Sequence, residues 1–337
     1  MDTTVLLINM GTPQSPKTGD VRSYLSEFLN DARVIDLPWL GRKMLVNLII
    51  VPFRAPKSAR HYQELWSDEG SPLMIHSVAF KEKLQKVIGT DFKLEMLMRY
   101  GKPSLKKMLK KLESQNPEKL LIVPMYPQYA SSTTGSAIEL VMNKIRKWKQ
   151  IPDLKILHHF HDHPAFIGAM TEQVKAHHPN ENYDHVVMSY HGLPQHHTHE
   201  AHQGIDCESM SCREKRDEKN KFCYLASCYE TSRLLAEKLS LSKEKYTVSF
   251  QSRMSDKWTK PFTEKLVLEL AGKGVKKILV ISPAFVADCL ETTNELGVEL
   301  RDTFLKAGGE ELKVVESLND QAKWVDEMAV ILRDLAK

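Results

Sequence analysis

Four carboxylates, Asp288, Glu291, Glu295 and Glu299, follow one another at intervals of three, four and four residues. On an α-helix that spacing puts them on one face. The row begins where a helix would leave the apolar run 278–281, and negative charge is favoured at a helix N-terminus. No lysine or arginine interrupts it before Arg301. Such a row suits proton transfer or the handling of a hydrated metal ion; a solvated helix face is the plain alternative. A second group is Ser189-Tyr190-His191-Gly192-Leu193-Pro194, at the end of another apolar run. Gly192 permits a tight turn there, and a neutral His191 imidazole is a suitable proton acceptor or soft metal ligand. The third group is Cys207, Cys212, Cys223 and Cys228, spaced C-x4-C-x10-C-x4-C. Four thiols in so short a stretch suit one tetrahedral metal or cluster site. Nearby His196, His197, His199 and His202, and His158, His159, His161 and His163 upstream, read as solvated loop histidines rather than a metal-collecting surface.

The elements that must position these groups repeat. Segment 5–13 (VLLINMGTP) has a partner at 186–194 (VVMSYHGLP). Segment 94–112 pairs in pattern with 246–270, and 120–137 with 278–295, in the same order. Each is an apolar strand, a loop with proline, then a helical pattern. Strands alternating with helices imply parallel sheets with helices on both faces. The expected fold is α/β, with two similar Rossmann-like doubly wound domains facing each other across a cleft. Ligands bind at the carboxyl ends of strands in such sheets. The boundaries are expected at 1–152 for the first domain, 153–318 for the second and 319–337 for a C-terminal helix packing back on the first. Pro152 interrupts a helical pattern at the join. No dinucleotide or P-loop glycine motif is present.

Composition bounds the setting. The chain has 337 residues, 42% hydrophobic and 27% charged, which suits about two soluble globular domains. A net charge of +4 is too mild to indicate nucleic acid, and Lys106, Lys107, Lys110 and Lys111 fit a solvated helix face. The first residues read as a strand, not a signal peptide. Five cysteines with no export signal point to the cytoplasm. No run is long enough to span a bilayer. Segment 37–57 is unusually apolar, its run 44–53 flanked by Arg42, Lys43, Arg54 and Lys57. It suits an exposed lip for a membrane surface or an apolar pocket wall; a buried helix is the alternative.

Six motifs then carry a resemblance. NMGTP, RYGKP, PQYASSTTGS, SYHGLP, FQSR followed by Trp258, and PAFVADCLET fall in order over nearly the whole chain. Together they resemble the ferrochelatase family. The resemblance implies the class II chelatase fold and insertion of Fe²⁺ into protoporphyrin IX, a lyase reaction that ends heme synthesis. Coproporphyrin III is the nearer alternative substrate, and a carrier of tetrapyrrole or metal without turnover the more distant alternative. The resemblance implies that His191 removes pyrrole protons or ligates iron, with Glu291 and Glu295 relaying protons or guiding the ion, and Asp288 orienting the loop. It places Met10, Arg54, Tyr62, Ser71, Arg99, Tyr100, Tyr129 and Trp258 around the porphyrin. Many relatives have His where Cys289 stands, so any role given to that position is in doubt here. An internal four-cysteine segment resembles that of a subset of bacterial members. It implies a 2Fe–2S cluster on Cys207, Cys212, Cys223 and Cys228, with structural zinc or free thiols as alternatives. The resemblance also implies a cytoplasmic protein, soluble or in peripheral contact with the inner membrane; monomer and homodimer are both open.

Overall fold

The computed structural model describes residues 3–177 and 183–337. The chain divides into two compact units. One comprises 1–126, 130–159 and 320–337, the other 127–129 and 160–319.

The first unit opens with β1 (Thr3–Asn9), wholly buried, as a continuous apolar run in a parallel sheet demands. Helices α1 (Thr18–Leu29), α2 (Trp39–Met44), α3 (Val51–Leu65) and α4 (Pro72–Ile88) precede β2 (Phe92–Met98). After α5 (Leu105–Gln115), β3 (Lys119–Pro124) and α6 (Ser136–Ile145) comes β4 (Asp153–Ile156). The four strands are parallel, in the order β2-β1-β3-β4. Helix α5 shows why these residues fold here. Ser104 caps its first turn, Leu105, Leu109 and Leu112 recur on one buried face, and Asn116 closes it in the left-handed conformation. Its leucines join Leu6, Ile8, Leu120, Ile122 and Val141 in one core.

The second unit repeats this plan. It runs through α7 (Pro164–His177), β5 (His185–His191), α8 (Gln195–Glu200), α9 (Tyr224–Lys238), β6 (Tyr246–Gln251), α10 (Thr263–Gly272), β7 (Lys277–Ile281), α11 (Arg301–Lys306) and β8 (Glu311–Val314). Its parallel order is β6-β5-β7-β8. The duplication extends to single hydrogen bonds. Met98 N–H donates to the Pro103 carbonyl at 2.7 Å, and Phe250 N–H to the Pro261 carbonyl at 2.8 Å. Leu157 N–H donates to Ile122, and Val315 N–H to Val280. In this register Met10 of the first unit corresponds to His191 of the second, and Arg99 to Gln251.

Strand β4 pairs with β3, so the chain leaves the first unit after 159, not at Pro152. The proline interrupts a helical pattern, but one more strand of the first sheet follows it. Helix α12 (Ala322–Ala336) belongs to the first unit. There Trp324 stacks on Phe80 of α4 and Arg333 donates to the Val87 carbonyl.

Among the described residues, π-helical stretches lie at Leu45–Ile50, Ser131–Gly135 and Glu291–Leu300. The last two follow β3 and β7 and so occupy equivalent places in the repeat. Such widened turns concentrate at functional sites.

Candidate active site

His191 is the last residue of β5 and lies half-buried at the carboxyl edge of the second sheet. Its backbone is held twice. The Tyr224 hydroxyl donates to its carbonyl at 2.9 Å, and Gly192 N–H donates to the Gln251 carbonyl at 2.8 Å. Its ring nitrogen Nδ1 lies 2.7 Å from the Gly192 carbonyl oxygen. A carbonyl can only accept, so Nδ1 carries the proton and Nε2 of the neutral ring is left with the lone pair. The rings of Trp258 and Phe285 stand 6.4 and 6.5 Å from the imidazole. Trp258 is tied to the same loop: Thr259 N–H donates to the Leu193 carbonyl, and Leu193 N–H to Thr259 Oγ1.

The carboxylate row divides in the structure. Asp288 lies before the helix and is buried among donors from Thr292, Asn319 and the Ser317 N–H, which lock the loop. Glu299 is exposed. Glu291 and Glu295 sit half-buried on the π-helical stretch. Gln251 connects them to the sheet. Its side chain accepts from Ser189 Oγ at 2.8 Å and donates to the Glu291 carbonyl at 3.1 Å. Ser252 Oγ donates to Glu295 Oε2 at 2.5 Å. Cys289 is buried, and burial, then the nearby Glu291 charge, pushes its thiol pKa up. It is a neutral packing residue.

Burial also raises the Glu295 pKa, and the Glu291 charge adds to that. The Ser252 hydrogen bond and the His191 ring oppose it without cancelling it. Folding thus makes Glu295 hold its proton over a pH window in which the unfolded chain has released it. The folded state then binds more protons than the unfolded, so this group's contribution falls as pH rises past the ordinary carboxylate value. Glu295→Gln is expected to raise the thermal midpoint by a few degrees at about pH 7 and to leave it unchanged at about pH 3, well below the ordinary carboxylate value, where the parent is protonated in both states. Calorimetry at the two pH values checks this. A variant less stable than the parent at neutral pH would remove the case for a destabilised carboxyl.

A sheet edge bearing a histidine with a free Nε2 beside a raised-pKa carboxyl is proton-handling chemistry. The family model for ferrochelatase matches residues 2–335. A ferrochelatase of Coxiella burnetii (strain Dugway 5J108-111) is 41% identical over 96% of this chain and 91% of its own length. One of Legionella pneumophila (strain Lens) is 41% identical over 98% of each chain. The chain belongs to the ferrochelatase family. In fold it resembles SirB from Bacillus subtilis, solved with Fe³⁺, at a TM-score of 0.56 and 10% identity, covering 100% of this chain and 96% of that one.

The remaining residues expected from the ferrochelatase resemblance lie in different settings. In the first unit Met10 is half-buried at the end of β1 and Arg54 is exposed on α3. Tyr62 is buried with its ring edge-on to Trp66. Ser71 is buried and caps α4 by accepting from Met74 N–H, so its hydroxyl holds a helix start. Tyr100 is 1% exposed. Its hydroxyl donates to Asp31 Oδ2 at 2.9 Å, and Arg99 donates to Asp31 Oδ2 at 2.5 Å and to Ser136 Oγ at 2.8 Å. Ser136 Oγ completes the knot on Asp31 at 2.6 Å. Burial pushes the Asp31 carboxyl up, but the Ser136, Arg33 and Arg99 interactions outweigh it and leave its pKa lowered. Arg99 and Tyr100 are thus engaged within their own unit, tying the end of β2 to the turn after α1 and to the start of α6. The sequence did not single out Asp31, because a lone aspartate after a helix carries no pattern. Tyr129 is half-buried in the second unit.

The cysteine group differs from expectation. Cys207, Cys212 and Cys223 converge with His202 rather than Cys228; one side-chain atom of each lies within 4.8 Å of the others, and His202 Nε2 is 3.3 Å from Cys212 Sγ. Cys228 is the fifth residue of α9, buried beside Tyr190 and Tyr224 in the core. The helix begins at Tyr224, not after Cys228, so its geometry carries that thiol away from the loop. His202 is buried rather than solvated.

The apolar segment 37–57 is an exposed lip. Trp39 is 66%, Leu48 65% and Phe53 79% exposed. Of the flanking cations Arg42 is buried, donating to the Leu37 carbonyl at 2.6 Å. Among the described residues no helix is long and apolar enough to cross a membrane.

Proposed function

We propose that this protein inserts Fe²⁺ into protoporphyrin IX, giving protoheme and two protons at the end of heme synthesis. The observation that carries the reading is the His191 tautomer, with Nδ1–H engaged by Gly192 and Nε2 open, on a chain of the ferrochelatase family. Metal insertion requires two pyrrole N–H protons to leave while Fe²⁺ sheds water. His191 Nε2 accepts a pyrrole proton, and Glu295, half-buried and held by Ser252, takes it onward. Glu291 guides the ion. Trp258 supplies an apolar wall beside the His191 loop. Met10, Tyr129 and Tyr62 meet the macrocycle, and Arg54 suits its propionates. Ser71, Arg99 and Tyr100 act by positioning, since their polar groups are committed inside their own unit.

In this reading the two units are two domains, and the strand-end loop of His191 meets the porphyrin. The lip of α2 and α3 dips into the inner membrane from the cytoplasm, with Lys43 and Lys57 nearest the head groups. Porphyrins are apolar discs, and an apolar lip lets them pass without crossing water.

Anaerobic Fe²⁺ insertion, with protoporphyrin IX and coproporphyrin III compared side by side, tests the activity. Protoporphyrin is expected to be preferred by about tenfold or more in kcat/KM. Preference for coproporphyrin would move the protein to that branch. Tight porphyrin binding without turnover of either would make it a carrier.

A further inference from the structure

We propose that His202, Cys207, Cys212 and Cys223 form a closed mononuclear zinc site, and that Cys228 takes no part in metal binding. The ligand atoms decide the nuclearity. A tetrahedral Zn²⁺ with Zn–S near 2.3 Å and Zn–N near 2.0–2.1 Å sets its sulfurs about 3.8 Å apart and sulfur from nitrogen about 3.6 Å. Here Cys207 Sγ and Cys223 Sγ are 3.8 Å apart, and His202 Nε2 and Cys212 Sγ 3.3 Å. A two-iron cluster spreads its ligands over two metals, so atoms on opposite irons part by more than about 5 Å. All four atoms here lie within 4.8 Å of one another. The family-implied 2Fe–2S group therefore does not fit: its span is too wide for these four atoms, and Cys228, which the cysteine count assigned to it, is packed in the α9 core.

The surroundings are those of a ligand shell. His202 Nδ1 donates to the Ile205 carbonyl at 3.2 Å, which fixes the tautomer that leaves Nε2 for a metal. Asn220, fully buried, donates to Cys212 Sγ at 3.7 Å and to the Lys215 carbonyl at 3.0 Å. All four ligand residues are buried. Four protein ligands leave no open position, so the site is structural rather than catalytic. Its purpose follows from the chain path. Between the ends of α8 and the start of α9 the backbone makes only turns. One ion would staple this excursion to Cys223, the residue before Tyr224, which holds the His191 carbonyl.

The test uses the full chain, expressed with iron and zinc both supplied and purified anaerobically. Metal content and acid-labile sulfide are measured. About one zinc per chain and no sulfide are expected, unchanged in Cys228→Ser. His202→Ala is expected to lose more than half the zinc, and His202→Cys to retain it. Cobalt exchanged into the parent should show intense visible bands of a tetrahedral thiolate site, stronger in His202→Cys with its fourth sulfur. About two irons and two sulfides per chain would overturn the proposal, whether or not Cys228→Ser loses them. So would zinc below about a tenth per chain in the parent, or an undiminished content in His202→Ala.

Discussion

Replacing His191 with alanine is expected to lower kcat for metal insertion by about 100- to 10,000-fold while protoporphyrin affinity changes only a few-fold. The range is that of a positioned proton acceptor. The small binding effect follows from placement, because the apolar surfaces beside the ring, Trp258 and Phe285, stay in place without it. Two further variants separate the roles open to the ring. Asparagine sets its amide nitrogen where Nδ1 lies, keeping the bond to the Gly192 carbonyl but offering nothing at the Nε2 position. Glutamine sets an amide oxygen near Nε2, which can ligate a cation but is far too weak a base. If Nε2 removes a proton, all three variants fall to the same low rate. If it serves as an iron ligand, glutamine recovers a measurable part. Stopped-flow insertion kinetics give kcat, and quenching of protein fluorescence gives porphyrin affinity. An alanine variant within about threefold of the parent in kcat would remove His191 from the chemistry.

Much of this arrangement was legible in the sequence, and the reasons differ residue by residue. Buried parallel strands read as unbroken apolar runs, so β1, β3, β5 and β7 announced themselves, and their repetition gave two sheets of one topology. His191 and Glu291 lay in motifs at strand ends, where the fold concentrates function. Helical periodicity was a poorer guide to the carboxylates. It assumed an α-helix from Asp288 onward, but the chain stays in a loop there and then winds as a π-helix. Asp288 turns to Asn319, thirty-one residues ahead, and only Glu291 and Glu295 remain together. Ser252, which sets the Glu295 environment, comes from another strand end, and no local pattern reveals a partner so distant. The same holds for Asp31 under Arg99 and Tyr100. The cysteine spacing was informative but incomplete. Counting thiols favoured Cys228, whereas helix α9 starts early enough to bury that side chain, and a histidine of the segment, His202, converges with the other three thiols instead.

Gly11→Ala is expected to cost about 4 kcal/mol or more of the first unit's stability, far beyond an ordinary glycine replacement. Gly11 corresponds in the repeat to Gly192, and in both places the chain turns off a central strand against the end of its neighbour. At Gly11 the approach is closer. Its φ is +113°, and a Cβ there would lie 1.8 Å from the Tyr100 carbonyl oxygen and 3.3 Å from Met98 Cβ. The backbone cannot retreat cheaply, since Tyr100 N–H donates to the Met10 carbonyl at 2.9 Å and Arg99 N–H to Asn9 at 2.8 Å. Those bonds hold the residues that grip Asp31, so relieving the clash loosens the knot that joins β2, the turn after α1 and α6. Gly70 provides the comparison. Its φ is +122° with no atom within 4 Å of an added Cβ, so Gly70→Ala carries backbone strain alone, about 1–2 kcal/mol. Gly192→Ala falls between: its Cβ would sit 2.9 Å from the Gln251 carbonyl oxygen, without the left-handed backbone. It moves the residue after His191, so it should lower kcat more than stability. Urea unfolding followed by far-ultraviolet circular dichroism orders the three. A Gly11 variant within about 1 kcal/mol of the Gly70 variant would mean that the ends of β1 and β2 separate freely and that their closing hydrogen bonds do not hold this turn.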